Sequence, residues 1–497
     1  MRDHSLELPT GPRGFDRHLE TASLLDPIDR RRFLQLMGAS MALSGLGACT
    51  RQPKEAIVPY VKQPEEIVPG KPLYYATAAL HGGYATGVLV ESHMGRPTKI
   101  EGNPEHPASR GATDLFAQAS VLDLYDPDRS QVVTHLAQIQ PWSGLVTILK
   151  ATAESAKASG GAGFRILSGP STSPTLEAQM RALRSALPEM RWHRWQPVHR
   201  DGARAGALQA FGKIVDTQLR LAEADVILAL DSDFLACGPA GVRHARDFAA
   251  RRRAQAELGA GQGRPVRLYA VESSPTTTGA SADHRIPMRA SEIEAFALAV
   301  AAKLGLAAGN GAAGAHAHLA EIVAEDLQGA KNRALVVAGD DAPAGVHALA
   351  HAINDALGAV GTTVVHTEPV EVDPVLEVES IRALADDMAA GKVATLVILG
   401  SNPVYDAPAD LEFGKWMQKV GLRVHLGLHA DETAELCHWH VPAAHPLESW
   451  SDARAFDGTV TILQPLIEPI YGGKSGHELL AVLTGQEATP YDLVREH

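Results

Sequence analysis

Short apolar runs alternate with amphipathic stretches along the chain from about residue 164 onward. The runs predict strands at residues 164–167, 226–230, 266–271, 334–338, 363–366, 395–399 and 423–426. Between them the apolar spacing is helical, as in residues 175–187, where four apolar side chains fall on one face: Leu176, Met180, Leu183 and Leu187. Strands that alternate with helices predict doubly wound parallel sheets.

The N-terminal part of the chain has a different pattern. Residues 86–92 and 97–101 surround the turn sequence His93-Met94-Gly95-Arg96, which predicts a small β-hairpin. Upstream, five prolines interrupt residues 52–72 and predict an extended strap in place of a helix. The most apolar later segment, residues 295–309, contains Lys303 and Gly305 and predicts a helix packed on a core, not a membrane span.

A basic pair and a modest apolar stretch precede the strap. Arg30 and Arg31 stand just before Phe33 and Leu34, an order typical of a twin-arginine export signal. The stretch ends in a lipobox pattern whose last residue, Cys49, would receive a diacylglycerol. The alternative, a buried amphipathic helix, is disfavoured by the glycines in this stretch. We therefore expect export by the twin-arginine route and a lipid anchor on the periplasmic side of the cell membrane.

These patterns divide the chain into six predicted segments. The expected fold class is α/β, with a small N-terminal β segment and two doubly wound parallel-sheet lobes in tandem. The boundaries are a signal and lipobox at residues 1–49, a proline-rich strap at 50–73, a small β domain at 74–140, a first α/β lobe at 141–310, a second lobe at 311–485 and a C-terminal tail at 486–497. Residues 301–329 are the expected junction of the lobes.

The charge and the cysteine content limit the partners and cofactors that the chain could bind. The formal net charge of −13 comes from 58 acidic and 45 basic residues spread along the chain, which disfavours nucleic acid as a partner. A lipidated Cys49 leaves only Cys237 and Cys437, too few for a four-thiolate iron-sulfur cluster. A disulfide between them is permitted in an oxidising compartment, but two buried free thiols are the favoured state.

Loops at the predicted strand ends contain residues that could cradle phosphate groups. They are Gly169, Ser171, Gly400, Ser401 and Asn402. The same loops persist in a fold that has lost its ligand, and we favour that interpretation, in which they are vestigial. No Ser-His-Asp order or nucleophile elbow supports a hydrolase.

A second candidate is a metal site, because a thiolate with imidazoles could hold zinc or copper. Its residues are Cys437, His438, His440 and His445. Strand spacing places His438 and His440 on one face and Cys437 on the other. The ligands therefore do not converge, and no metal site is expected there.

Several strings resemble the molybdopterin oxidoreductase family and follow the order found in that family. They are VLVESHMGRP at residues 88–97, KIEGNPEHP at 99–107, LYDPDR at 124–129, ADVI at 224–227, ADHRIP at 282–287, GSNP at 400–403, ETA at 432–434, VPA at 441–443, Glu448 and Gly458. Together they extend over most of the chain beyond Cys49, so the resemblance implies the molybdopterin oxidoreductase-like fold.

The chain differs from that family at positions where its members bind their cofactors. Its members usually carry a cysteine motif for an iron-sulfur cluster in the first β segment, where residues 80–85 here are LHGGYA. Where the family often has a metal-ligating cysteine, this chain has Ala112-Thr113-Asp114, and Asp114 could ligate molybdenum or cap a helix. The C-terminal β domain that covers the pterin is not expected after residue 485. A site without ligand, cluster and lid implies that no cofactor is bound.

Within this family, residues 57–77 and the lipobox resemble the large exported subunit of alternative complex III, a quinol-oxidising complex of bacteria. That subunit resembles a molybdenum enzyme without its cofactor, followed on one polypeptide by an iron-sulfur portion, so this chain resembles a split form. The resemblance implies three kinds of partner: a ferredoxin-like iron-sulfur subunit, integral-membrane quinol-binding subunits and c-type cytochrome subunits. Iron-sulfur clusters and haem c are then expected on those partners.

Two hypotheses of different classes follow. In the first, the chain is a non-catalytic docking subunit of the quinol-oxidising complex. In the second, it is an exported molybdenum or tungsten oxidoreductase whose metal ligand is Asp114. Metal and pterin analysis of the purified chain distinguishes them.

Overall fold

The structure, a computed structural model, describes residues 67–258, 266–306 and 316–497. The export signal, Cys49 and the strap up to residue 66 lie outside the described residues. The chain divides into a unit at Met1–Glu65 and a second unit at Glu66–His497, and the description below concerns the second. Within the described ranges, no helix combines the length and apolar character that a bilayer span requires.

The strands, numbered along the chain, are β1 (Leu73–His81), β2 (Tyr84–His93), β3 (Arg96–Gly102), β4 (Thr134–His135), β5 (Gln138–Ile139), β6 (Phe164–Ser168), β7 (Arg191–Arg194), β8 (Asp216–Leu219), β9 (Val226–Leu230), β10 (Arg267–Glu272), β11 (His284–Pro287), β12 (Ala334–Ala338), β13 (Val364–Thr367), β14 (Thr395–Leu399), β15 (Leu422–Gly427), β16 (Trp439–Pro442), β17 (Ser451–Arg454) and β18 (Val460–Leu463).

The helices are α1 (Leu115–Leu124), α2 (Trp142–Lys157), α3 (Pro174–Ala186), α4 (Asp201–Phe211), α5 (Gly241–Leu258), α6 (Thr277–Ser281), α7 (Ala290–Lys303), α8 (Ala317–Gly329), α9 (Ala344–Ala356), α10 (Glu377–Ala389), α11 (Pro403–Asp406), α12 (Phe413–Met417), α13 (Glu432–Glu435), α14 (Gly476–Thr484) and α15 (Pro490–Glu496). Short 3-10 turns lie at Leu221–Glu223 and Ala409–Leu411.

A three-stranded antiparallel sheet, β1-β2-β3, begins the described chain. The predicted hairpin is β2-β3, and its turn residues Met94 and Gly95 have φ of 54° and 79°. Helix α1 packs on this sheet through Ala117, Val121 and Leu124. β1 was not predicted, because Leu73–His81 carries aromatic, small and polar residues without a clear alternation.

The largest sheet takes its strands from two separate parts of the chain, β4 to β7 and β14 to β16. Its order is β5-β4-β16-β15-β14-β6-β7, in which the five strands from β16 to β7 are parallel and the β4-β5 hairpin is antiparallel. The central strands β6 and β14 are mostly apolar and almost fully buried, because helices cover both faces of the sheet. We call residues 134–194 and 377–442 the split lobe.

A second lobe is inserted between β7 and α10. It contains the four-stranded parallel sheet β11-β10-β9-β12 and the antiparallel pair β13-β8. Its helices α7 and α8 pack on one core through Ala297, Val300 and Val323. We call residues 201–367 the inserted lobe.

This topology corrects the predicted tandem lobes. β12, expected in the second lobe, pairs with β9, and β14 pairs with β6 of the expected first lobe. Residue 310 therefore does not separate two sheets, and the described residues 301–306 and 316–329 contribute to one core instead of forming a junction. The apolar runs β6, β9, β12 and β14 are similar in sequence, so the pattern predicts strands without indicating which of them pair.

The ends of the other predicted segments also differ. The β4-β5 hairpin, expected in the small β domain, joins the large sheet through β16. The expected C-terminal tail contains α15, which starts with a capping box between Thr489 and Asp492 and buries Leu493.

Candidate functional site

The carboxyl ends of parallel strands meet at one edge of the split lobe. β6 and β14 are neighbours, with Ser168 opposite Leu399, so the loops after them lie side by side. The structure therefore brings the predicted residues Gly169 and Ser171 to the same edge as Gly400, Ser401 and Asn402. In α/β proteins this edge is where ligands usually bind.

The loop after β6 leads into helix α3, whose N-terminus is occupied by a carboxylate of the chain itself. Asp452, on β17, accepts hydrogen bonds from Thr175 N at 3.2 Å and Thr175 Oγ1 at 2.6 Å, and also from Ser173 Oγ. Asp452 is only 4 % exposed. A helix N-terminus attracts anions, and here the anion is an aspartate from 277 residues further along the chain.

The β1-β2 turn covers the same loop. A Cβ atom added to Gly83 would lie 2.4 Å from Pro170 O, so glycine is required for this close approach. Thr172 Oγ1 donates to Gly83 O at 2.7 Å, and Arg454 N donates to Thr172 Oγ1 at 2.9 Å. The turn whose sequence lacks the family's cysteines thus closes over the loop that contains Gly169 and Ser171.

The loop after β14 is closed by hydrogen bonds within the protein. Gly400 has φ of 67°, and its N–H donates to Leu426 O at 2.8 Å. The Asn402 side chain donates to Glu432 Oε2 at 2.7 Å and accepts from Thr433 Oγ1 at 2.7 Å. Thr433 Oγ1 is also the partner of Val404 N at 3.1 Å, in the first turn of α11. Both the NH2 group and the oxygen of the Asn402 amide therefore already have hydrogen-bond partners in α13.

A buried histidine pair lies beside this edge. His425 on β15 and His440 on β16 have their Nδ1 atoms 3.1 Å apart, and His440 Nε2 lies 2.7 Å from Ser130 Oγ. His425 Nε2 has no hydrogen-bond partner among the described residues and lies 3.8 Å from Asp431. Burial lowers the pKa of both histidines to about 4, so both rings are neutral at physiological pH.

The predicted Cys-His group does not converge. His440 faces His425, whereas His438 Nδ1 accepts from Arg423 N at 3.1 Å and His445 Nδ1 accepts from Leu447 N at 3.1 Å. Burial raises the pKa of the Cys437 thiol to about 12. In the described parts of the chain, no group of three or more metal-ligating side chains could hold an ion.

Both described cysteines are free thiols, which confirms the state favoured from the sequence. Cys437 is buried as expected. Cys237 is exposed, which corrects the expectation that both thiols are buried.

Asp114 is the N-cap of helix α1. Its carboxylate accepts from Ala117 N at 2.7 Å, and its backbone is extended with φ of −95° and ψ of 178°. Of the two roles that the sequence left open, the structure shows the helix cap.

Arg129 and Glu448, which belong to two of the sequence strings that resemble the family, form a buried ion pair. Arg129 Nη2 lies 2.7 Å from Glu448 Oε2, and the two side chains are 1 % and 0 % exposed. Glu448 also accepts from His445 N and Ile470 N. Neither this pair nor Asp452 was predicted as a functional or structural contact, because their partners are far apart in sequence.

Comparison with known proteins supports this fold. No protein-family model matches the chain. A curated relative, the molybdopterin-binding-like subunit of menaquinone reductase from Nitratidesulfovibrio vulgaris, is 24% identical over 450 residues, which cover 80% of this chain and 63% of the relative. The chain thus matches less than two thirds of the relative's length.

A solved structure, acetylene hydratase from Pelobacter acetylenicus, is similar with a TM-score of 0.59 and 13% identity, covering 83% of this chain and 69% of that chain. These matches confirm the resemblance predicted from the sequence strings and the predicted molybdopterin oxidoreductase-like fold.

The helix N-termini at this edge are poorly suited to the phosphate groups of a molybdopterin cofactor. Free N–H groups at a helix N-terminus bind phosphate readily. Instead, Asp452 accepts from the first turn of α3, Asp201 accepts from Glu377 N and Val378 N of α10, and Asp431 accepts from Ala434 N of α13. A phosphate group could bind at these three helix N-termini only by displacing the carboxylates.

Proposed function

We propose that this chain is a non-catalytic, cofactor-free docking subunit of a membrane-bound quinol-oxidising complex of the alternative complex III type, in a respiratory or photosynthetic electron-transfer chain. The curated relative supports the proposal, because its name describes a molybdopterin-binding-like subunit of a quinone-linked reductase. In this proposal the fold provides a surface that binds partner subunits and does not itself catalyse a reaction.

One observation carries the proposal: Asp452 occupies the N-terminus of α3. A cofactor-binding member of such a fold would keep this position open for a phosphate. A buried carboxylate with three donors instead satisfies the helix permanently, which stabilises the fold without a ligand. The covered loop at Gly83 and the committed amide of Asn402 support the same interpretation.

The proposed partners carry the redox groups. They are a ferredoxin-like iron-sulfur subunit, integral-membrane quinol-binding subunits and c-type cytochrome subunits, and electrons would pass through their iron-sulfur clusters and haem c. The chain itself would be held at the periplasmic side of the membrane by lipid on Cys49 and by these partners. Nucleic acid is not a proposed partner.

Purified protein is expected to contain no stoichiometric molybdenum, tungsten or iron. The strand-end loops are closed by contacts within the protein. The described residues contain two thiols, Cys237 and Cys437, which are too few for a four-thiolate iron-sulfur cluster. Elemental analysis and pterin extraction of the full chain measure this directly, with the buffer from the final purification step as the blank.

About one molybdenum per chain with extractable pterin would contradict the docking proposal. Asp114→Asn would then test the enzyme hypothesis, because it removes the candidate ligand while an asparagine still caps α1. Loss of metal in that variant without loss of folding would assign Asp114 as the ligand.

Substitution of Cys49 tests the proposed lipid anchor. Wild-type protein is expected to carry three acyl chains on Cys49, whereas Cys49→Ser is expected to carry none. A single myristoyl chain, at roughly 0.8 kcal/mol per buried CH2, binds membranes only marginally, whereas two or more chains anchor a protein stably. Intact-mass analysis of detergent-extracted protein distinguishes the two forms.

Thr50 follows the cysteine, so retention at the inner membrane would depend on the partner subunits. The Cys49→Ser variant is therefore expected to remain with the complex but to be released when the complex is dissociated. An unmodified Cys49 in the wild type, or a mature N-terminus elsewhere, would contradict the lipid anchor.

A further inference from the structure

Two chain crossings join the inserted lobe to the split lobe. Residues 195–200 lead from β7 into α4, and residues 368–376 return from β13 to α10. Helix α4 packs on α9 of the inserted lobe, with Gly206 against His347, whereas α10 packs beside β7 of the split lobe. A motion between the lobes would have to turn on these two crossings.

Arg204 connects both crossings. It projects from α4 and donates to Glu377 Oε1 at 2.9 Å, to Val375 O at 2.6 Å and to Glu371 Oε2. Asp201, one turn earlier on α4, accepts from Glu377 N at 2.8 Å and Val378 N at 2.9 Å. We call Asp201, Arg204, Glu371 and Glu377 the hinge cluster.

The hinge cluster has more negative than positive charge. Three carboxylates surround the single guanidinium of Arg204, and the side chains of Glu371 and Glu377 are 3 % and 0 % exposed. When buried carboxylates share one cation, their mutual repulsion favours binding of a proton to one of them.

The neighbouring cations are engaged elsewhere. Arg194 donates to Val372 O and Asp373 O at 2.9 and 2.8 Å, and lies 3.3 Å from the Asp373 carboxylate. Arg200 pairs with Asp340 at 3.2 Å. Arg204 therefore remains the one guanidinium that contacts the carboxylates of Glu371 and Glu377 among the described residues.

Glu371 is the member of the cluster that binds this proton. Its Oε1 atom is buried and has no hydrogen-bond partner among the described residues. Burial raises the pKa of Glu371 to about 7, Arg204 opposes the rise, the nearby Glu377 adds to it, and Arg194 and Arg200 oppose it more weakly. Burial also raises the pKa of Glu377.

The remaining polar groups around Glu371 do not supply a positive charge. The Asp216 carboxylate accepts from Val370 N at 2.8 Å, and burial raises the pKa of Tyr84 to about 12, so its phenol is neutral. A cavity of about 20 Å3 has room for a water molecule that could exchange the proton. Tyr84, Arg204 and Glu371 line it together with Arg200, whose guanidinium pairs with Asp340.

We propose that the hinge cluster is a proton-linked lock, in which protonated Glu371 lets Arg204 hold α4 and α10 together and ionised Glu371 loosens both crossings. The inference does not depend on the proposed function. Ionised Glu371 adds a second buried negative charge beside Glu377, so the closed hinge loses stability as pH rises.

The direction follows from proton linkage. The closed hinge binds a proton on Glu371 more tightly than an opened hinge, where the carboxyl returns to its ordinary pKa of about 4.5. Stability of the closed hinge is therefore greatest at acidic pH and falls as pH rises through the pKa of about 7. Between pH 6 and pH 8.5 the opening equilibrium should increase about tenfold.

Hydrogen exchange of the full chain tests this. After correction for intrinsic exchange, amides in residues 195–200 and 368–376 are expected to exchange about tenfold faster at pH 8.5 than at pH 6. Glu371→Gln, which mimics the protonated carboxyl, should remove that difference. Equal pH dependence in wild type and Glu371→Gln would overturn the proposal.

Asp387→Asn is the matched control, because Asp387 is a buried carboxylate that pairs with Arg165 and lies near the C-terminal end of α10, at the opposite end from Glu377. It should keep the wild-type pH dependence at the hinge. If Glu371→Gln does not fold, wild-type protein alone decides: faster exchange confined to the crossings supports the lock, and a uniform or absent change overturns it.

Discussion

Glu448→Ala is expected to lower the free energy of unfolding by about 3–5 kcal/mol, because it leaves Arg129 as a buried charge without a partner. The guanidinium donates to both carboxylate oxygens, at 2.7 and 3.2 Å, and neither side chain is more than 1 % exposed. Glu448 further accepts from His445 N and Ile470 N, so truncation also removes acceptors from two backbone donors. Denaturant unfolding of the full chain measures the change.

The matched control is Glu487→Ala, which removes the partner of Lys150 in an exposed pair. Its unfolding midpoint should equal that of the wild type, because exposed pairs contribute little. Although burial opposes it, hydrogen bonds from Arg129 hold the pKa of Glu448 below its ordinary value of 4.5. The stability contributed by Glu448 is therefore present above pH 4.5 and lost as pH falls through the folded pKa.

A Glu448→Ala variant as stable as the Glu487→Ala control would contradict the buried pair.

Much of the strand content could be predicted from the sequence. Three predicted strands, at residues 226–230, 334–338 and 395–399, have the observed bounds, because strands covered on both faces are continuous apolar runs. β7 was missed because Arg191–Arg194 is largely polar. Arg194 is nevertheless buried, since its guanidinium lies 3.3 Å from the Trp192 ring centroid and donates to two carbonyls of the return crossing.

The lobe arrangement could not be predicted, because strand pairing depends on contacts distant in sequence. Nothing in the apolar run of β14 indicates that its neighbour is β6, 231 positions earlier by the pairing of Thr395 with Phe164. Because the inserted lobe interrupts the split lobe, two chain crossings join the lobes, and contacts are needed to hold both crossings in place. The hinge cluster supplies that contact, with Arg204 and Asp201 from one lobe bound to Glu377 of the other.

The candidate site was predicted in part. The strand-end rule placed Gly169 and Gly400 each at the carboxyl end of a strand, but in two different predicted lobes. Only the observed pairing of β6 with β14 brings both residues to one sheet edge. The same rule could not identify Asp452, whose role depends on β17 reaching the first turn of α3. A lone aspartate after a serine has no sequence signature for such a contact.

Asp452→Ala is expected to lower the free energy of unfolding by about 3–5 kcal/mol, because Thr175 N, Thr175 Oγ1 and Ser173 Oγ lose their acceptor inside the protein. The reopened N-terminus of α3 should then bind a small anion. Sulfate or phosphate at about ten times its Kd would restore about 1.4 kcal/mol, whereas chloride at equal ionic strength would not. Thermal unfolding of variant and wild type in the three salts measures the rescue.

The wild type is the control for general salt effects, because sulfate stabilises most proteins by exclusion from their surface. Only stabilisation in excess of the wild-type change counts as rescue. Asp452→Asn keeps one acceptor oxygen and no charge, so it should lose less stability and show no excess rescue. If sulfate stabilises Asp452→Ala and the wild type equally, Asp452 does not stand in for an anion, and the strongest argument for a closed cofactor site is lost.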